Sequence, residues 1–105
     1  MPAPLKEAYE KCAPDPKHWP VLFAKVNKLL VNFSGFRPED MRSIDAPIMV
    51  MTGDRDFVRP EHAVEMFRLL PRAELAILPG AGHIAIVERP EWIFSMITTF
   101  LKETQ

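Results

Sequence analysis

The residues able to do chemistry in this 105-residue chain gather in two short stretches. The first, Gly53-Asp54-Arg55-Asp56-Phe57-Val58-Arg59-Pro60, carries two carboxylates. The second, Gly80-Ala81-Gly82-His83, carries an imidazole behind small residues that permit a sharp turn and leave the ring accessible. An acid and a histidine within hydrogen-bond reach make a proton-transfer pair. The carboxylate fixes the imidazole tautomer, orients the ring and stabilises the imidazolium that forms during transfer. Asp56 could instead cap a helix opening at Pro60 or close the turn after Gly53, and taken alone the cap reading wins, since aspartate is common in such loops. Asp54 competes with it and reads as a turn former bonded to local N–H groups. Arg55 and Arg59 read as surface charges or local partners of these acids. His18 and His62 fall near helix starts and read as surface or capping groups. The three histidines lack H-x-x-x-H or C-x-x-C spacing, so no metal or other cofactor is expected.

Both loops follow short apolar runs. Pro47-Ile48-Met49-Val50-Met51-Thr52 is continuous rather than alternating, the pattern of a strand covered on both faces in a parallel sheet, and Gly53 ends it. Ala73-Glu74-Leu75-Ala76-Ile77-Leu78 is the second run, ended by Pro79-Gly80. Between them Pro60 opens a helix with Ala63, Met66, Phe67 and Leu70 on one face, and Pro71 closes it. Residues 47–79 are therefore strand, helix, strand in about 33 residues, the length of a parallel βαβ unit with a right-handed crossover. In such sheets ligands sit beyond the carboxyl ends of the strands, where the acid loop and the histidine loop both fall. Pro90 opens a last helix with Ile93, Met96, Ile97, Phe100 and Leu101 inward, expected to pack back on the sheet.

The preceding residues are helical in pattern. Residues 5–12 make a weak short helix broken by Ala13-Pro14-Asp15-Pro16. Asp15 is placed to cap a second helix with Pro16 in its first turn, and Pro20 could push the true start one turn later. In that helix Trp19, Leu22, Phe23, Val26, Leu29, Leu30 and Phe33 recur at three- and four-residue steps along one face. Gly35 suits its stop. A short helical turn is plausible over residues 38–43.

At this level of detail the residues match a family. Ala46 to Ala63, with Gly53-Asp54-Arg55-Asp56 inside it, resembles the penultimate strand and acid loop of the α/β-hydrolases. Leu69 to His83 resembles their last strand and histidine loop, and Pro90 to Leu101 their C-terminal helix. Residues 5–36 resemble, more loosely, the cap helices inserted before this strand. The resemblance implies an α/β fold: the C-terminal βαβα portion of a hydrolase sheet over residues 44–105, preceded by a cap-like helical segment over 1–43. It gives Asp56 the place of the triad acid and His83 that of the general base.

One departure is large. The family carries its nucleophile on a G-x-S-x-G elbow upstream of the acid. The four glycines here, Gly35, Gly53, Gly80 and Gly82, flank no serine in that pattern. Ser34, Ser43, Ser95 and Cys12 all lack the strand–turn–helix setting of such an elbow, and no His-Gly-Gly oxyanion loop appears. The resemblance thus implies the C-terminal portion of a hydrolase of esters or related bonds, carrying two of three triad members and inactive alone. The alternative is a non-catalytic assembly or binding module made from a hydrolase half. A sheet of two parallel strands cannot cover its own edges. Strand 47–52 is therefore expected to pair with the missing N-terminal half or with a second copy, making an oligomer. A small-molecule substrate would bind only when the fold is complete.

Composition narrows the remaining classes. The 48% hydrophobic and 26% charged residues describe a globule, not a disordered tail. With 13 Lys+Arg against 14 Asp+Glu there is no basic field for nucleic acid or an anionic membrane. No apolar stretch reaches the length of a membrane helix, and no basic segment followed by an apolar run marks a secretory signal. The single cysteine, Cys12, cannot form an internal disulfide, which favours a reducing, cytoplasmic setting.

Overall fold

The computed structural model describes residues 3–105, and its elements begin where aspartate and proline put them. The chain divides after Gly35 into two compact units. In the first, helix α1 (Ala3–Cys12) leads to a 3₁₀ turn (Pro16–His18) and helix α2 (Trp19–Asn32). The Asp15 carboxylate accepts from the Lys17 N–H at 3.1 Å, the expected cap. Pro20 does not delay α2. It occupies the first turn, where a missing N–H costs nothing, so the helix starts at Trp19. Tyr9, Trp19 and Phe23 form a short ring contact chain at 5.5 and 6.2 Å. The rest of the expected apolar face is not buried: Leu29 and Leu30 are 64% and 69% exposed. A single pair of short helices offers too little partner surface to cover so wide a stripe.

The second unit starts with a short helix α3 (Pro38–Arg42) and continues as strand β1 (Ile48–Gly53), helix α4 (Pro60–Leu69) and strand β2 (Ala73–Leu78). The strands pair in parallel, with Ile48 opposite Ala73 and Gly53 opposite Leu78, so both end at the same level. The fold is α/β, with a two-stranded parallel sheet flanked by helices. A short helix α5 (Ala85–Glu88) and the last helix α6 (Pro90–Glu103) complete it.

Alternation along the strands assigns the two faces. Met51 and Leu78 point to the side where Ala81, Ala85, Ile93 and Met96 close a small core. Val50 and Leu75 take the other side, and α4, which lies against both strands, buries Ala63 there. The strands themselves are only half-buried. A sheet two strands wide is narrower than the helices on it, so it covers part of each apolar stripe. Ile93 is buried and Met96 and Phe100 partly so, but Ile97 and Leu101, expected to face inward, are exposed.

The ladder also shows which edge is open. The N–H groups of Ile48 and Asp54 donate to Arg72 O and Leu78 O, both at 2.9 Å, on the β2 side. The two-residue period puts Val50 and Thr52 on that side as well. Met49 and Met51 therefore turn their backbone polar groups away from β2, toward the uncovered edge. Among the described residues no helix is long and apolar enough to cross a membrane.

Candidate functional site

Because β1 and β2 end in register, the loops that follow them leave the sheet side by side, and several contacts lock them together. The N–H of Asp54 donates to Leu78 O and that of Arg55 to Ala81 O, each at 2.9 Å. The Asp54 carboxylate accepts from the Gly80 N–H at 2.9 Å. This corrects the expectation of a purely local turn former: its partner lies 26 residues away, in the histidine loop. Gly80 itself takes φ +64, a conformation that favours glycine. On its other side the histidine loop is held by Glu88, whose two carboxylate oxygens both accept from the Gly82 N–H at 3.2 Å.

Asp56 is held from three directions. Its Oδ1 accepts from the Val58 N–H at 3.0 Å, and Oδ2 accepts from the Thr52 hydroxyl at 3.2 Å. Both oxygens also lie at 3.1 and 3.2 Å from Nδ1 of His83. The Val58 N–H above all, then His83 and Thr52, hold the carboxyl below its ordinary value, and the partial burial that opposes them does not win. The turn-closing role and the histidine contact, alternatives in the sequence, are filled by one side chain at once. It does not cap α4: Arg59 occupies that position, with no side-chain bond.

The tautomer of His83 follows. An ionised carboxylate can only accept, so Nδ1 must be the N–H that donates to Asp56. In the neutral ring Nε2 then keeps the lone pair. The Asp56 side chain is 7% exposed and that of His83 59%, so the acid is screened while the base is open. Such a pair can take a proton at Nε2, hold the resulting imidazolium against a fixed carboxylate, and return the proton.

Two neighbours of this pair escaped sequence reasoning. Thr52 donates to the acid from the penultimate position of β1, four residues earlier. Phe57, next to the acid, lays its ring against the imidazole with centroids 4.4 Å apart and planes at 36°. The available signal for Phe57 was a bulky apolar residue inside a polar loop. Of the remaining candidates, His62 is an exposed residue in the first turn of α4 that lines a groove reaching the pair, and His18 belongs to the first unit. Among the described residues neither Arg55 nor Arg59 forms an ion pair with Asp54 or Asp56. No group of three or more metal-ligating side chains occurs among them either.

Two open grooves run along the uncovered side of β1 and reach this pair. One, about 310 Å³, is lined by Met51, Ile86, Ile93 and Ile97 beside Asp56 and His83. The other, about 350 Å³, is lined by Ile48, Val50, Val58, Ala63 and Met66 beside the same two residues.

Residues 2–96 match the model of the alpha/beta hydrolase family. The mouse (Mus musculus) sn-1-specific diacylglycerol lipase ABHD11 is 29% identical over 65 residues, 61% of this chain and 21% of the lipase. Among solved structures, MGS-MChE2, an alpha/beta hydrolase enzyme from the metagenome of lagoon sediments at Mar Chica, Morocco, superposes with a TM-score of 0.66. It is 28% identical, with 94% of this chain and 44% of that one covered. A thermophilic esterase from Thermogutta terrifontis gives a TM-score of 0.61 at 26% identity, covering 64% of this chain and 25% of the esterase. The chain thus spans less than half the length of each of these relatives. A parallel strand pair ending in joined acid and histidine loops, with a family match over most of the sequence, makes this chain a member of the alpha/beta hydrolase family.

Proposed function

We propose that these residues form the acid- and histidine-bearing portion of a hydrolase of esters or related carbon–heteroatom bonds, completed by a nucleophile from a segment outside the 105 residues. The observation that supports this most is the triply held Asp56 carboxylate against Nδ1 of a His83 whose side chain is largely exposed. In the completed site His83 Nε2 takes the proton of the attacking hydroxyl or thiol and passes it to the leaving group. It then takes a proton from the water that attacks the acyl group and returns it to the nucleophile as the acid is released, leaving the ring neutral again. Asp56 keeps the ring in the Nδ1–H tautomer and stabilises the imidazolium at each stage. The nucleophile-bearing segment pairs with β1 along the edge toward which the Met49 and Met51 amides point, since the acid lies just after that strand and the histidine loop is tied to it. The lipase and esterase among the relatives favour carboxylic esters as the substrate class.

The test uses p-nitrophenyl acetate. The chain alone should show no turnover above that of an exposed histidine. Adding in trans a hydrolase portion that carries the elbow nucleophile should restore turnover, and His83→Ala should remove it. An acylation burst from the chain alone that His83→Ala abolishes would overturn the proposal by revealing a nucleophile within these residues, with Ser34 the first to replace. Complex formation without turnover would favour the assembly-module reading.

A further inference from the structure

Asp56 fixes only one edge of the His83 ring. Its two oxygens lie almost equally far from Nδ1, at 3.1 and 3.2 Å, so the bond is forked. A forked bond tolerates rotation of the imidazole about its Cβ–Cγ bond better than a single linear one. The side chain is also 59% exposed, so packing does little else to hold the ring plane. A histidine on a loop, with its face in water, would sample several rotamers, and most of them carry Nε2 out of line with a reacting group.

One side chain addresses that freedom. The Phe57 ring sits 4.4 Å from the imidazole, centroid to centroid, with the planes 36° apart, a tilted face contact. Phe57 is itself 78% exposed, among the most exposed of the large apolar residues, so burial in the core does not explain its place. It lines neither of the grooves beside the pair. Its backbone position is set by the turn that Asp56 closes on Val58, so the residue that holds the acid also presents the ring. The two contacts are different in kind: Asp56 bonds the ring at its Nδ1 edge, and the tilted Phe57 ring lies against the imidazole itself.

We propose that Phe57 is a positioning residue that stacks on His83 and holds the imidazole plane, keeping Nδ1 on Asp56 and Nε2 aimed outward. The inference rests on the reading of His83 as the base and concerns how that base is oriented.

Nitrogen-15 NMR of the His83 ring in the full 105-residue chain, at a pH where the ring is neutral, tests it. In the native chain the Nδ1 and Nε2 signals should be widely split, as in a fixed Nδ1–H tautomer. Phe57→Ala and Phe57→Leu should bring the two signals together as the ring exchanges between tautomers. Phe57→Tyr, which keeps the aromatic face, should restore the split. Leucine retains apolar bulk, so its failure beside tyrosine's success separates stacking from simple shielding. Unchanged amide signals from Leu78 and Ile93 in every variant would exclude general unfolding as the cause. An unchanged split in both Phe57→Ala and Phe57→Leu, with collapse in Asp56→Ala, would overturn this proposal and leave the underlying reading intact. An unchanged split in Asp56→Ala, which removes the acceptor oxygens altogether, would instead defeat the acid–histidine reading itself.

Discussion

The carbonyl of Ala81 occupies the space where a β-carbon on Gly53 would sit, so that any side chain there would collide with it and also approach Gly82 O to 2.7 Å. Gly53 ends β1 and Ala81 precedes the histidine by two residues. The acid loop and the histidine loop can therefore touch backbone to backbone only because position 53 has no side chain.

Gly53→Ala accordingly should force the two loops apart. The colliding atoms are backbone and cannot swing away as a flexible side chain could. Overpacking of this kind costs on the order of 1–3 kcal/mol. Urea denaturation should show that loss, and the Asp54–Gly80 and Asp56–His83 contacts should weaken with it. Unchanged stability would mean that the loops do not meet as described.

Asp54 supplies the second tie between the loops, through its 2.9 Å bond from the Gly80 N–H. Asp54→Ala should leave the Gly80 amide without its acceptor and speed its hydrogen exchange markedly. The stability cost should stay near 1 kcal/mol, because the group is exposed and water replaces part of the bond. Asp54→Asn keeps an acceptor oxygen and should retain most of the protection. Equal exchange rates at Gly80 in native and Asp54→Ala chains would remove this residue from the site's scaffold.

The lowered titration of Asp56 sets a pH dependence with a definite sign. Its carboxyl loses its proton more readily folded than unfolded, chiefly because the Val58 N–H donates to the charged form. Its contribution to stability is complete above the ordinary carboxylate range and is lost as pH falls through the lower folded value. Compared in a His83→Ala background, which leaves the Val58 N–H as the carboxyl's main partner, the native Asp56 chain should outlast Asp56→Asn in thermal melts at neutral pH. The gap should narrow below about pH 4. A gap that widened on acidification would reverse the assignment.

These contacts show why part of the site was legible beforehand and part was not. The strand–helix–strand order follows from apolar runs bounded by Gly53, Pro60, Pro71 and Pro79, and the strand ends then bring Asp56 and His83 to one side of the sheet. That reasoning uses only chain direction and strand length. The Asp54–Gly80 bond depends on how far each loop curls after it leaves the sheet, which is a matter of φ/ψ at Gly80 and of the missing side chain at Gly53. The Thr52 hydroxyl and the Phe57 ring depend on rotamers, to which residue spacing gives no access. The apolar stripes of α2 and α6 were legible as stripes, but their width exceeds what a short helix pair or a two-stranded sheet can cover. For that reason Leu30, Ile97 and Leu101 lie exposed where the pattern alone points inward.

The uncovered edge of β1 yields the last prediction. Met49 and Met51 direct their backbone polar groups away from β2, and the grooves flanking that edge are largely apolar, with Ile48, Val50 and Ile97 among their walls. An edge strand so bordered pairs readily with another strand. Size-exclusion chromatography with light scattering should therefore find the chain associated rather than as a 12.0 kDa monomer unless a complementary hydrolase portion is supplied. Met49→Pro removes an N–H that points outward while leaving the β1–β2 ladder its own donors, so it should block pairing at the open edge and shift the chain toward monomer. Circular dichroism must show that the variant keeps its helices, which separates a blocked edge from a lost fold. A native chain that ran as a monomer and melted in one cooperative transition would mean that the two strands stand without a neighbour, and the pairing proposed for the nucleophile-bearing segment would fall with it.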